Sequence, residues 1–360
     1  MKNILIAIRS IFKKGRHNVM KIVSLGIGLA VGLVLIAKVY FEQSYDDFYP
    51  DRDRVYQVWA KYQQNGGELK DYPQTSGGIA PTMQQQIPEI ETVTRYTSFG
   101  DWTFTMTDTK MKYSGRCIIA DSCFFDILPR PMLIGNAKEV LSTPMYVLVS
   151  SRIAKNIGGD VIGKNFTVDS SPGRTMTIGG VFEEVPENSH SRYDVIVSMA
   201  SAGRFMWEGS PTNMLGNDRY ISYVKLHKGV NPLALEEQVH TFVNSYFPPE
   251  EQQKTGFNIG FSFHELDGLH KELPQVKRMT WILSLLAFAL IFTAVMNYIL
   301  IVISSIVNRS KEVAVHKCYG ASENNIHGMM FGEALVHIVL SLILALLLIL
   351  AFRGTVEELL

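Results

Sequence analysis

The sequence predicts a membrane protein in which transmembrane α-helices carry one large α+β extracytoplasmic domain. Three observations predict it. Ile22–Ala37 carries no charge, Met279–Asn308 carries none over 30 residues, and Ala334–Phe352 carries none besides the titratable His337. With their flanks, these runs reach the roughly 20 apolar residues that cross a bilayer core at about 1.5 Å per residue. Between the first and second lie about 230 residues of ordinary globular composition. The totals conceal this, because a net charge of +0 and a hydrophobic content of 47% also fit a soluble chain. The neutral balance, with no basic stripe in the polar block, gives no basis for a nucleic-acid partner.

Residues 1–18 place Ile4, Leu5, Ile8, Ile11 and Phe12 at helical spacing opposite Lys2, Arg9 and Lys13. The stripe reads as an amphipathic helix on the inner leaflet or as a cytoplasmic extension of the first span. Both set basic residues against membrane lipid. Residues 19–43 are the first span. It stays as an anchor, since its apolar core is long and no small-x-small cleavage site follows. Ser24, Gly28 and Gly32 recur every four residues, a face on which another helix can approach closely.

Residues 44–275 form the extracytoplasmic domain, expected as two subdomains. Val55–Ala60, Met145–Val149, Arg174–Phe182, Tyr193–Val197, Tyr220–Leu226 and Phe257–Phe263 are β-branched or aromatic runs bounded by turn residues, hence strands. Ser122–Leu128, Ser150–Asn156 and Pro232–Tyr246 read as helices, the last with Leu233, Leu235, Val239, Phe242 and Val243 on one side. Strands and helices interspersed at this scale predict an α+β domain large enough to bury its own core.

Residues 276–308 are the second span. Asn297 lies in its middle, and a buried amide there is expected to face another helix. Residues 309–325 make a short polar loop. Residues 326–353 are the third span, with Glu333 in its first turns, either at the interface or facing other helices. Residues 354–360 remain as an outer stub. An odd number of spans reads as an incomplete chain or as one half of something.

Orientation follows the placement of Lys and Arg. Lys2, Arg9, Lys13, Lys14, Arg16 and Lys21 precede the first span without an acid among them, and Glu42, Asp46, Asp47 and Asp51 follow it. The loop after the second span carries Arg309, Lys311 and Lys317 against Glu312. The N-terminus and the 309–325 loop are therefore expected in the cytoplasm. Lys277 and Arg278 oppose this and are outnumbered.

No catalytic constellation emerges. Gly158–Gly159–Asp160–Val161–Ile162–Gly163–Lys164–Asn165 matches a phosphate loop except that Asn165 stands where a hydroxyl must hold magnesium, so it reads as a turn. His264, Glu265, Asp267 and His270 cluster at a spacing that fits no chelate. His190 reads as part of a turn between strands. Cys117 and Cys123 fit either a disulfide in an oxidising compartment or two small buried residues.

Several segments nevertheless form a pattern. Phe41–Phe48, Arg54–Val58, Phe124–Leu128 with Pro131–Asn136, Val147–Ser150, Gly180–Phe182 with Val185–His190, and Arg309–Ser322 occur in the order found in FtsX-like permeases of ABC transporters with a MacB-like periplasmic core domain. The chain resembles that family over nearly its whole length. His316 and the pair Cys318–Tyr319 depart from its loop pattern. The resemblance implies a permease subunit of an export or mechanotransmission system in a bacterial inner membrane. It implies a separate cytoplasmic ATPase that uses ATP and Mg, so that this chain is no enzyme and binds no cofactor. It implies contact with that ATPase through Arg309, Lys311, Glu312, His316, Lys317, Gly320 and Ser322. A second permease half or a second copy, and a periplasmic partner or cargo, are the other expected partners. The alternative is a membrane-tethered scaffold, or a regulator of a cell-wall hydrolase without transport.

Overall fold

The computed structural model describes residues 18–308, 315, 318 and 323–354. The residues expected to touch an ATPase (Arg309, Lys311, Glu312, His316, Lys317, Gly320 and Ser322) lie outside the described residues, as do residues 1–17 of the expected amphipathic helix. The chain divides into two compact units. One spans Tyr45–His270, and the other holds the residues on either side of it.

The flanking unit is built from long helices, Asn18–Gln43, Pro274–Asn308 and Glu323–Ala351. Each is long and apolar enough to cross a membrane. The second and third both pack along the first. Their outward side chains are apolar: Trp281, Leu285, Phe288 and Phe292 follow one another at helical spacing, and Phe288 is 68% exposed. In water such a face would be a large aggregating patch; in a bilayer it meets acyl chains.

The central unit is organised by one continuous sheet. Its strands are β1 (Val55–Gln64), β2 (Lys70–Tyr72), β3 (Ile90–Met106), β4 (Lys112–Ala120), β5 (Met132–Ile134), β6 (Tyr146–Ser150), β7 (Asn165–Val168), β8 (Ser171–Phe182), β9 (Val195–Ser198), β10 (Ile221–Leu226) and β11 (Phe257–Glu265). The order is β11-β1-β10-β3-β4-β9-β6-β8-β5, with β2 on β1 and β7 bridging β3 and β8. The β4–β9 and β6–β8 pairs are parallel and the others antiparallel. The expected two subdomains thus share one sheet, although the apolar contacts fall into three clusters. One lies under the helices Ile79–Gln86 and Glu236–Tyr246 around Val58, Met83 and Phe242. A second gathers Tyr96, Phe124, Phe182 and Tyr223, and a third Phe104, Phe166 and Met176.

The six strands expected from apolar runs are present. β3 and β4 were not legible. β3 alternates weakly because Thr94, Arg95 and Thr97 are buried as well as Val93 and Tyr96, and because Gly100, at φ +72°, shifts the register against β4. Arg95 is tolerated inside because its guanidinium meets Asp121 at 3.1 Å and donates to the carbonyls of Gly77 and Pro211. Burial pushes the Asp121 carboxyl up, against the pull of Arg95. The Gly158–Asn165 segment is a turn: Gly158, Gly159 and Gly163 all have positive φ, and Gly158 closes the helix Ser151–Ile157. Cys117 and Cys123 are both free thiols. Cys117 is buried, and Cys123 Sγ donates to the Val93 carbonyl at 3.1 Å.

Candidate functional site

Within the helical unit, close packing begins with missing side chains. A Cβ at Gly28 would overlap the Ala294 side chain, and one at Gly32 would overlap Ile291. A Cβ at Gly26 would stand 2.9 Å from Leu344 Cδ2. The first helix therefore receives the second on Gly28 and Gly32 and the third on Gly26, where dispersion contacts accumulate. Ser24 is half-buried on the same helix. Asn297 does not join this interface. It is exposed among the described residues, because Ala294 and Tyr298 take the inward positions of that turn.

The inward polar residues gather elsewhere. Lys21, Tyr298, Ser305, Glu333 and His337 are each at least nine-tenths buried and line one cavity of about 30 Å³, the size of a single water. Tyr298 Oη and His337 Nδ1 are 3.5 Å apart with their rings edge to face, and Lys21 Nζ donates to Asn18 Oδ1 at 3.3 Å. Ser341 donates to the Ile22 carbonyl at 3.1 Å, tying the third helix to the first. Of the two placements open for Glu333, the structure takes the inward one. Ionisable groups at such positions are costly in an apolar slab and are retained where they bind, move or pivot something.

In the central unit, the two ends of the domain are rooted together. Asp46 follows the first long helix closely and sits in the left-handed region at φ +60°. That strained conformation is held by partners from 188–190. Its N–H donates to the Asn188 carbonyl at 2.9 Å. Ser189 Oγ donates to Asp46 Oδ1 at 3.2 Å, and His190 Nδ1 lies 2.8 Å from Asp46 Oδ2. His190 Nε2 in turn lies 2.6 Å from the Tyr223 hydroxyl, and Ser191 Oγ donates to the Tyr96 hydroxyl at 2.8 Å. Tyr49, Tyr96, Tyr193 and Tyr223 are raised above the ordinary phenol range, in each case chiefly by burial, so this polar knot sits in a dry pocket. His190 is in a turn between β8 and β9, as expected, but its role as an anchor for the entering chain was not legible. It needed knowledge that Asp46 lies beside it.

The returning end is fastened to the entering one. β1 and β11 pair antiparallel from Tyr56↔Glu265 onward, and Leu266 N–H donates to the Val55 carbonyl at 2.9 Å. Arg52 reaches Asp267 at 3.3 Å and Asp47 at 2.9 Å, and the rings of Tyr45 and His270 stack at 3.5 Å. Asp51 and Lys225 (2.5 Å) and Arg54 with Asp51 and Glu91 extend the network across β10. The Lys225 hydrogen bond, then that from Arg54, holds the Asp51 carboxyl below the usual carboxylate range. The residues His264, Glu265, Asp267 and His270 are thus separated onto different partners, His264 lying against Trp59.

Known proteins match this architecture. The family model of the MacB-like periplasmic core domain covers residues 20–242, and that of the FtsX-like permease C-terminal covers residues 284–359. The crystal structure of a domain of a putative permease from Porphyromonas gingivalis is 32% identical, with a TM-score of 0.55 over 60% of this chain and 91% of that one. The extracellular domain of the noncanonic ABC-type transporter YknZ from Gram-positive bacteria is 10% identical, with a TM-score of 0.40 over 57% of this chain and 98% of that one. None of the curated proteins matches. An α+β domain rooted at both ends, apolar helices before and after it in the sequence, and family models over both parts lead to one conclusion: the chain belongs to the FtsX-like ABC permeases that carry a MacB-like periplasmic core domain.

Proposed function

We propose that this chain is the permease subunit of an ABC-type export or mechanotransmission system. Its N-terminus and the 309–325 loop face the cytoplasm of a bacterial inner membrane, and the central domain stands outside. A separate ATPase binds and hydrolyses ATP with Mg; this chain contributes no catalytic group and holds no cofactor. The ATPase docks on Arg309, Lys311, Glu312, His316, Lys317, Gly320 and Ser322. A second permease half or copy completes the assembly.

The observation that best supports this reading is the double root of the central domain. Both chain ends enter adjacent antiparallel strands, β1 and β11, and are locked by the Asp46–His190 knot and the Arg52–Asp267 pair. A domain fastened in that way responds to displacement of either connection as one body, since packed strands shift together rather than stretch. The buried polar cavity at Lys21, Glu333 and His337 gives the helices a place to pivot without exposing a charge to lipid.

The test is co-purification. The chain extracted with its candidate ATPase should retain it, and the double variant Lys311→Glu, Lys317→Glu should lose it by about tenfold or more, the scale for reversing charges in an interface. Undiminished association of the double variant would remove the 309–325 loop from the coupling role.

A further inference from the structure

Strand β4 is paired along its whole length on one side only. Toward β3 the ladder runs from Lys112↔Thr105 to Ala120↔Tyr96. Toward β9 it covers Cys117–Ala120 alone. Beyond Cys117 this outer edge is engaged once more, where Arg116 N–H donates to Asp194 Oδ2 at 2.9 Å and Asp194 N–H donates to the Arg116 carbonyl at 2.8 Å. The main-chain groups of Arg116 therefore point away from β3. By the two-residue period of a strand, those of Ser114 and Lys112 do the same. Among the described residues, no hydrogen bond meets the N–H or C=O of either on that side.

A cleft of about 410 Å³ opens on this edge, lined in part by Ser114, Gly115, Arg116, Arg152, Glu184 and Asp194. Its charges are unevenly satisfied. Arg152 is held by Asp194 at 2.6 Å and Glu184 at 3.3 Å. The exposed Arg116 guanidinium has no ion-pair partner among the described residues, although Asp101 is its cross-strand neighbour on β3. Lys112, Ser114 and Arg116 share the exposed face of β4, while Gly115 and Cys117 face inward. Free strand edges are normally guarded by charge. Lys112 is already paired with Asp169 at 2.7 Å, so Arg116 is the cation beside Ser114 that is left to meet an acidic strand. A side chain placed opposite Ser114 on an added strand lies diagonal to both Lys112 and Arg116, within reach of a carboxylate.

We propose that this edge binds an extended peptide segment with an acidic side chain. The segment adds as a strand beside β4, exchanges main-chain hydrogen bonds with Ser114, and sets its carboxylate on Arg116. Main-chain pairing supplies the affinity and the cation the selectivity. This site belongs to the central domain and is independent of any ATPase coupling.

The experiment uses the full chain in lipid nanodiscs and a dye-labelled, end-blocked pentapeptide, Thr-Val-Glu-Val-Thr, read by fluorescence anisotropy. Two companion peptides carry Lys in place of Glu, or an N-methyl group on the Glu amide. The Glu peptide should bind, with the Lys and N-methyl peptides weaker by about tenfold or more. Arg116→Gln should weaken the Glu peptide and not the Lys peptide. Ser114→Pro removes only the outward N–H, which an edge strand tolerates, and should abolish binding. Should that variant fail to fold, the N-methyl peptide on the unaltered chain decides the matter. No binding of the Glu peptide up to about 1 mM, the weak end of specific recognition, would overturn the proposal. So would equal binding of the N-methyl peptide, which would reduce the site to charge attraction.

Discussion

The two units of this protein invert one another. The helical unit turns Trp281, Phe288 and Leu346 outward and keeps Lys21, Glu333 and His337 inside. The central unit buries Phe124, Phe166 and Phe182 and leaves Lys112 and Arg116 at its surface. The chemistry of the residues is the same in both; the solvent is not. In water, burial of apolar area drives packing. Between helices in lipid that drive is absent, so contact depends on fit and on a few polar groups. The consequence is that a large aromatic residue anchors the central unit, whereas in the helical unit the absence of a side chain does.

Substitutions should separate these regimes. Phe124 is fully buried against Tyr96, Phe125 and Tyr193. Phe124→Ala should cost about 3–5 kcal/mol in unfolding of the central unit. Phe288→Ala should cost at most about 0.5 kcal/mol in detergent or bilayer, as expected where a side chain meets only the solvating medium. If both cost alike, the Phe288 face is covered by protein rather than lipid.

A smaller effect lies at Gly28. Gly28→Leu forces its side chain into Ala294 and should lower the thermal stability of the helical unit by about 1–3 kcal/mol. Among the described residues nothing stands within 4 Å of a Cβ at Gly332, so Gly332→Ala should be neutral or stabilising by about 0.5–1 kcal/mol through helix propensity. Equal loss in both would mean that the helices dislike any added bulk, and the Gly28 contact would lose its special place.

The smallest expected effect is electrostatic and confined to the central unit. Asp51 has its carboxyl held low by Lys225 and Arg54. Its folded value lies below the unfolded one, so the stabilisation is present above about pH 4 and fades as pH falls through the lowered value. Asp51 is partly exposed, so salt should weaken the effect. Thermal melts from pH 6 downward should show this loss, and Lys225→Met should flatten it. An unchanged slope in the variant would assign the acid sensitivity to other carboxylates.

How far the sequence could be read varies along the chain in a consistent way. Spans are legible because a bilayer accepts few exceptions to apolarity. Strands such as β6 and β9 are legible because both of their faces are dry. β3 was not, since Thr94 and Arg95 are buried in it, and Arg95 is satisfied by partners that arrive from distant segments. The glycine spacing of the first span pointed to close packing, and Gly28 and Gly32 do receive the second helix. Asn297 was expected to pack and is exposed, because one polar residue in a helix states a need for a partner without saying which way it turns.

Composition and periodicity alone determined that the chain crosses a membrane several times and that an α+β domain interrupts the crossings; the family came from the resemblance of particular motifs. Those properties depend on one residue's neighbours in sequence and on the medium around it. Tertiary structure alone decided that His190 grips Asp46, that Lys21 and Glu333 share a cavity, and that one edge of β4 is open beside Arg116. Each joins residues separated by tens to hundreds of positions, and a one-dimensional pattern holds no record of which distant groups a folded chain brings within hydrogen-bonding distance.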